Sequence, residues 1–186
     1  MIDSEPEPAT AGSTGSDADD EGHISKAATT PCDFDFIDGT RRLDLVTFAW
    51  LKEMLASAIE LINSEGGGIA RVGVRIVGDA EMAVAHTEYS GVDGTTDVLG
   101  FVTDDSPLRV DVLICLDEAS RQAAEFEHDL GRELLLYVIH AVLHATGHDD
   151  HDPESFQRIH AEEDRLLRAI GVGSVFMPDE GGEKSS

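Results

Sequence analysis

The stretch Leu134–Ala145 limits the fold more than any other part of the chain: of its twelve residues only Tyr137, His140 and His144 are not plainly apolar. A helix apolar on nearly every side has to lie inside a core with other elements packed around it. At about 100° per residue its polar residues form a single stripe, with His140 and His144 one turn apart, Tyr137 below them and His148 continuing the row. Two imidazoles in such a place need partners, because an unpaired buried polar group costs on the order of 1–3 kcal/mol. A metal ion would satisfy both at once. Gly147 is expected to end the helix, so that the chain can turn and return Asp149, Asp150 or His151 toward the pair. Two histidines at this spacing with a further ligand beyond a glycine turn match a catalytic zinc site, which keeps three protein ligands and an open position for water. The plainer reading is a pair of core histidines bonded to backbone, followed by a solvated acidic turn over 148–152; the adjacency of the two features favours the metal. A zinc peptidase is excluded, since its general-base glutamate would stand where the chain has Ala141.

Around this helix the patterning predicts a small mixed sheet. A short strand over Cys32–Ile37 precedes a helix over Leu43–Asn63, which ends at the triple glycine 66–68. A β-branched strand follows over Ile69–Val77, then a helix from Gly78-Asp79 to Tyr89 with Asp79 as its expected N-cap. Strands at Asp97–Thr103 and Val110–Leu116 lead to helices at Asp117–Phe126, Gly131–Thr146 and Glu154–Ile170. The order β-α-β-α-β-β-α-α-α gives an α+β fold: about four strands in a small mixed sheet packed with five or so helices, the metal site lying on the buried one. The triple glycine has neither phosphate-loop nor dinucleotide spacing.

The chain of 186 residues allows one domain with appendages. Residues 1–31 hold seven acids, one base and little to bury, which predicts a disordered acidic tail, and the last nine residues from Pro178 read the same way. The domain is expected over 32–177. Of the net charge of −25, 17 units stay on that part. This acidity argues against a protein that grips nucleic acid through a broad basic surface. Cys32 and Cys115 are isolated and read as buried free thiols. Neither a signal-like start nor an apolar run of membrane length is present, so a cytoplasmic protein with no membrane partner is expected.

The segment His140-Ala-Val-Leu-His144-Ala-Thr-Gly147-His148-Asp149-Asp150 resembles the signature H-G-x-L-H-L-x-G-Y-D-H of the YbeY family, the bacterial endoribonucleases of ribosomal RNA maturation. The resemblance spans about residues 32–173. It takes in Thr96-Asp-Val-Leu-Gly-Phe101 (family T-D-V-L-S-F), Val110-Asp-Val-Leu-Ile-Cys115 (family G-D-I-x-I-C) and Glu162-Glu-Asp-Arg-Leu-Leu-Arg-Ala-Ile-Gly171. It implies one zinc ion and a zinc-dependent, single-strand-specific endoribonuclease acting in late 16S 3′-end processing and ribosome quality control. The implied partner is ribosomal RNA or a ribosomal subunit, not DNA. By register the family's third ligand falls on Asp150, where the family has His, which makes the implied metal ligands His140, His144 and Asp150; His151 is the neighbouring substitute. The family's arginine before T-D-V-L-S-F aligns with Gly94, which cannot form the bidentate phosphate contacts of a guanidinium. That departure keeps a second possibility open, a metal-stabilised, ribosome-associated binding protein without nuclease activity. Asp149 or His148 could relay a proton, and Asp97 could line the cleft, but spacing alone assigns no catalytic residue.

Overall fold

The computed structural model describes residues 32–127 and 129–176; the tails expected over 1–31 and from 178 onward lie outside the described residues. The order of elements is β1 (Asp33–Asp38), α1 (Leu45–Ser64), β2 (Ile69–Val77), α2 (Asp79–Ser90), β3 (Val98–Asp105), β4 (Leu108–Cys115), α3 (Leu116–Glu125), α4 (Leu130–Ala145) and α5 (Pro153–Ala169). The fold is α+β, as the patterning predicts. The four strands form one sheet in the order β1-β2-β4-β3, with β1, β2 and β4 parallel and β3 antiparallel to β4 at one edge.

Alternation along the inner strands sets the core. Val72, Val74 and Ile76 of β2 stand in register with Val110, Val112 and Ile114 of β4. All six are buried on the face that meets Leu51, Leu55 and Ile59 of α1 and Leu134, Leu135 and Ile139 of α4. The opposite face buries less, with Val77 and Cys115 closing over Met82 of α2. α4 touches α1, α3, α5, β3 and β4, which accounts for its lack of a polar face. Its start is capped by Asp129, whose carboxylate accepts from the Gly131 and Arg132 amides.

One local expectation is corrected. Asp79 is the first residue of α2 and not its cap; Gly78 occupies the cap with extended backbone and no capping side chain. The Asp79 amide is satisfied from elsewhere, by Asp117 Oδ2 of α3 at 2.9 Å. Its own carboxylate binds both terminal nitrogens of Arg121 at 2.9 Å and accepts from Cys115 Sγ at 3.3 Å. Tertiary partners thus take over a role that local spacing gave to Asp79. Cys32 and Cys115 are both free thiols.

Candidate metal centre

The end of α4 determines the geometry of the site. The Gly147 N–H bonds the His144 carbonyl at 3.0 Å, and the His148 N–H bonds that of Leu143 at 3.0 Å. These two bonds close the helix around Gly147, whose φ of +100° is left-handed backbone that a side chain resists. Thr146 is the cap itself, and Gly147 follows it. The reversal carries Asp150 back over the last turn. Its Oδ2 lies 3.6 Å from His144 Nε2 and 3.9 Å from His140 Nε2, and the two Nε2 atoms are 3.0 Å apart.

Both imidazoles are held from behind. His140 Nδ1 donates to Glu163 Oε1 at 2.6 Å, and His144 Nδ1 donates to the His148 carbonyl at 3.1 Å. Both partners accept, so each ring carries a proton on Nδ1 and turns its Nε2 inward. Two Nε2 atoms and a carboxylate oxygen therefore converge on one point, where a shared proton or a metal cation relieves their mutual repulsion. The Glu163 carboxylate and the His148 carbonyl account only for the Nδ1 side of the two rings. Burial pulls the His140 pKa down, but the hydrogen bond and charge of Glu163, with Asp150 and Asp97 behind it, outweigh burial and hold it above the ordinary value. The three residues form a His/Asp group able to hold a metal ion.

The other residues of the cluster do other work. The His151 side chain is 84% exposed and bonds Asp149, which the imidazole holds below its usual carboxylate pKa. With Asp150 they form a second, more exposed group. Asp152 caps α5, accepting from the Glu154 and Ser155 amides at 2.9 Å. His148 Nδ1 folds back on the Leu143 carbonyl at 3.2 Å. Of the candidates beyond the glycine, the structure brings Asp150 to the histidine pair.

Sequence reasoning predicted the helix α5 but overlooked its buried Glu163. Glu163 is fully buried and bridges two histidines, with His160 Nδ1 on its Oε2 at 2.6 Å. A signal was present: Ile159, Glu163 and Leu166 share one helical stripe, and a carboxylate inside an apolar stripe needs a buried partner.

Two clefts open beside the group. One of about 690 Å³ is bordered by Asp97, Tyr137, His140, His160 and Phe176 among others. The second, about 410 Å³, runs along β3 from Asp97 to Val102 and past His140, Ala141 and His144. Asp97 lines both; its Oδ1 accepts from the Thr96 hydroxyl and the Val98 amide at 2.9 and 2.8 Å.

The model of the family described as Endoribonuclease YbeY matches residues 40–171. The chain belongs to the YbeY family. The protein named Endoribonuclease YbeY of Carboxydothermus hydrogenoformans is 33% identical over 125 residues, covering 66% of this chain and 87% of that one. That of Chlorobium phaeovibrioides is 36% identical over 121 residues, covering 64% and 82%. That of Geobacillus thermodenitrificans is 28% identical over 151 residues, covering 74% and 96%. The solution structure of TM1509 from Thermotoga maritima aligns at a TM-score of 0.49 and 23% identity, over 80% of this chain and 98% of that one.

Two departures from the YbeY pattern have a structural account. Gly94 has φ +102° with open space around it, so an arginine there would have room but a strained backbone. Its carbonyl accepts from His86 Nδ1 at 3.0 Å. At Gly100, an added Cβ would lie 3.2 Å from Ala141 Cβ. The YbeY pattern has Ser in the strand and Gly in the helix; here Gly100 faces Ala141, so the side chain has crossed the same contact.

Proposed function

We propose that this YbeY-family chain is a zinc-dependent, single-strand-specific endoribonuclease acting in ribosomal RNA maturation, with ribosomal RNA or a ribosomal subunit as its partner in the cytoplasm. The observation that carries the reading is the convergence of His140 Nε2, His144 Nε2 and Asp150 Oδ2 at 3.0–3.9 Å from one another, open to two clefts. Donors around a tetrahedral ion bound at about 2.0–2.2 Å stand roughly 3.3–3.6 Å apart, so this triangle suits zinc. Zinc bound there supplies Lewis acidity toward a phosphoryl oxygen and brings the pKa of water toward about 7. Glu163 and the His148 carbonyl fix the ring orientations, so no histidine has to reorganise when the site is used. Asp97, which lines both clefts beside His140, is in this reading one carboxylate able to accept a proton there. Membership in a family whose curated relatives are named endoribonucleases supports the substrate class. Among the described residues no helix is long and apolar enough to cross a membrane.

A second reading, a ribosome-associated binder that keeps zinc for stability, draws on the absence of Lys and Arg from the described residues that line the two clefts and on the glycine at position 94. Cleavage of single-stranded rRNA fragments separates the two. The nuclease reading expects cutting by the zinc-loaded wild type and none by His144→Ala. Identical behaviour of the two proteins, with zinc binding intact in the wild type, supports the binder.

A further inference from the structure

We propose that the 690 Å³ cleft beside His140 is a slot for one unpaired nucleobase of the RNA, which stacks on Phe176 and His160 and turns its N–H edge to the carboxylates of the cleft. The proposal rests on the ribonuclease reading and names the part of the substrate that the cleft holds.

Three of the four exposed phenylalanine and tyrosine rings among the described residues gather at this place, the fourth, Tyr89, packing on Phe101 instead. Phe126, Phe156 and Phe176 are 58%, 50% and 45% exposed. Phe126 and Phe176 line the cleft together with Tyr137 and His160. Phe156 meets the His160 ring edge-on at 4.1 Å, and Phe176 lies tilted on the same ring at 4.0 Å. Exposed apolar surface gathered in a patch marks a binding site more often than rings scattered singly do.

The rings are also held in place. Fully buried Asp164 accepts from the Val175 and Phe176 amides at 2.6 and 3.1 Å. The Arg132 guanidinium donates to the Ser174 carbonyl just before them. His160 is fixed by Glu163. Tyr137 is 5% exposed, and burial together with the facing Glu133 carboxylate pushes the pKa of its hydroxyl well above the ordinary value.

Charge decides what can enter. Among the described residues the lining includes Asp97, Glu118, Glu133 and Glu163 and no Lys or Arg, with Glu118 paired to Arg121 outside the cleft and Glu163 to His140 and His160. A phosphate is repelled there. A neutral base is not, and its amino and imino N–H groups are what carboxylates accept. Cytosine, adenine and guanine, which carry an exocyclic amino group, suit the slot better than uracil, whose edge presents a single imino N–H between two carbonyl oxygens. Stacking on aromatic rings is available to bases that are not already paired in a duplex, and it needs no basic surface. An acidic protein can hold RNA in this way, with a shallower salt dependence than one that neutralises phosphates.

The test uses full-length, zinc-loaded protein and a single-stranded oligoribonucleotide in which one 2-aminopurine, or one abasic residue, is moved along the sequence. Wild type, Phe176→Leu and Phe176→Trp are compared. At one position 2-aminopurine fluorescence is quenched by wild type and by Phe176→Trp but not by Phe176→Leu. KM for cleavage rises about tenfold in Phe176→Leu with a smaller change in kcat, and Phe176→Trp restores it. An abasic residue at that position raises KM equally in wild type and adds nothing in Phe176→Leu, while uracil there is bound more weakly than cytosine. Cleavage with the same KM in all three proteins and no position-specific quenching overturns the base slot and leaves the nuclease reading standing. Failure of the wild type to bind or cut the RNA overturns both.

Discussion

α4 and α5 both contribute polar groups to the same site, half-buried on α4 and fully buried on α5, yet only α4 announces them. In α4 eleven of sixteen residues are buried and the two histidines interrupt an apolar run. In α5 the buried Glu163 and Asp164 stand among Glu154, Glu162 and three arginines, and nothing in the composition separates them from their exposed neighbours. α4 carries the groups that meet at one point, and α5 holds them there: Glu163 orients His140 and His160, and Asp164 ties down the segment ending at Phe176. A charged amphipathic helix beside a metal-binding helix is therefore where supporting carboxylates should be sought.

The division of labour predicts a ranking of effects. Replacing a group that meets the ion is the most damaging: His144→Ala is expected to lower zinc affinity on the order of a thousandfold or more, measured by competition with a chromophoric chelator. Glu163→Gln comes next, with a loss of about 10- to 100-fold, the range for residues that orient a ligand without touching the metal. Equal losses in the two variants would erase the distinction between the helices. Asp164→Ala should act on stability and leave zinc affinity nearly unchanged, costing about 1–3 kcal/mol in urea unfolding because two amides lose their acceptor.

How far the sequence could be read follows the same line. The order of elements and the single sheet follow from apolar periodicity, and the buried helix follows from its unbroken run. Asp150 could be separated from His151 only by register, because both lie within reach of a turn whose course depends on φ at Gly147. Glu163 needed a helical projection of α5 to be noticed. The Asp79 cap failed because Asp117, 38 residues away, supplies the acceptor instead. No local pattern contains that information.

Smaller effects sharpen the comparison further. Gly100→Ser should destabilise the fold by about 1–2 kcal/mol through its contact with Ala141, and Ala141→Gly should recover part of that loss in the double variant. Additive losses would mean that the side chain has not simply moved from the strand to the helix. Asp149→Asn, which alters the exposed His151 partnership and keeps an oxygen to accept from the Asp150 amide, should change stability by less than about 0.5 kcal/mol and leave zinc affinity within about threefold.

The most direct measurement is the zinc content of untagged protein after dialysis against trace zinc, by elemental analysis of wild type, His151→Ala and Asp150→Ala. About one ion per chain in the first two and far less in the third is the expected result. A wild type that takes up no zinc, or an Asp150→Ala variant that keeps it while His151→Ala loses it, would contradict the His140–His144–Asp150 centre.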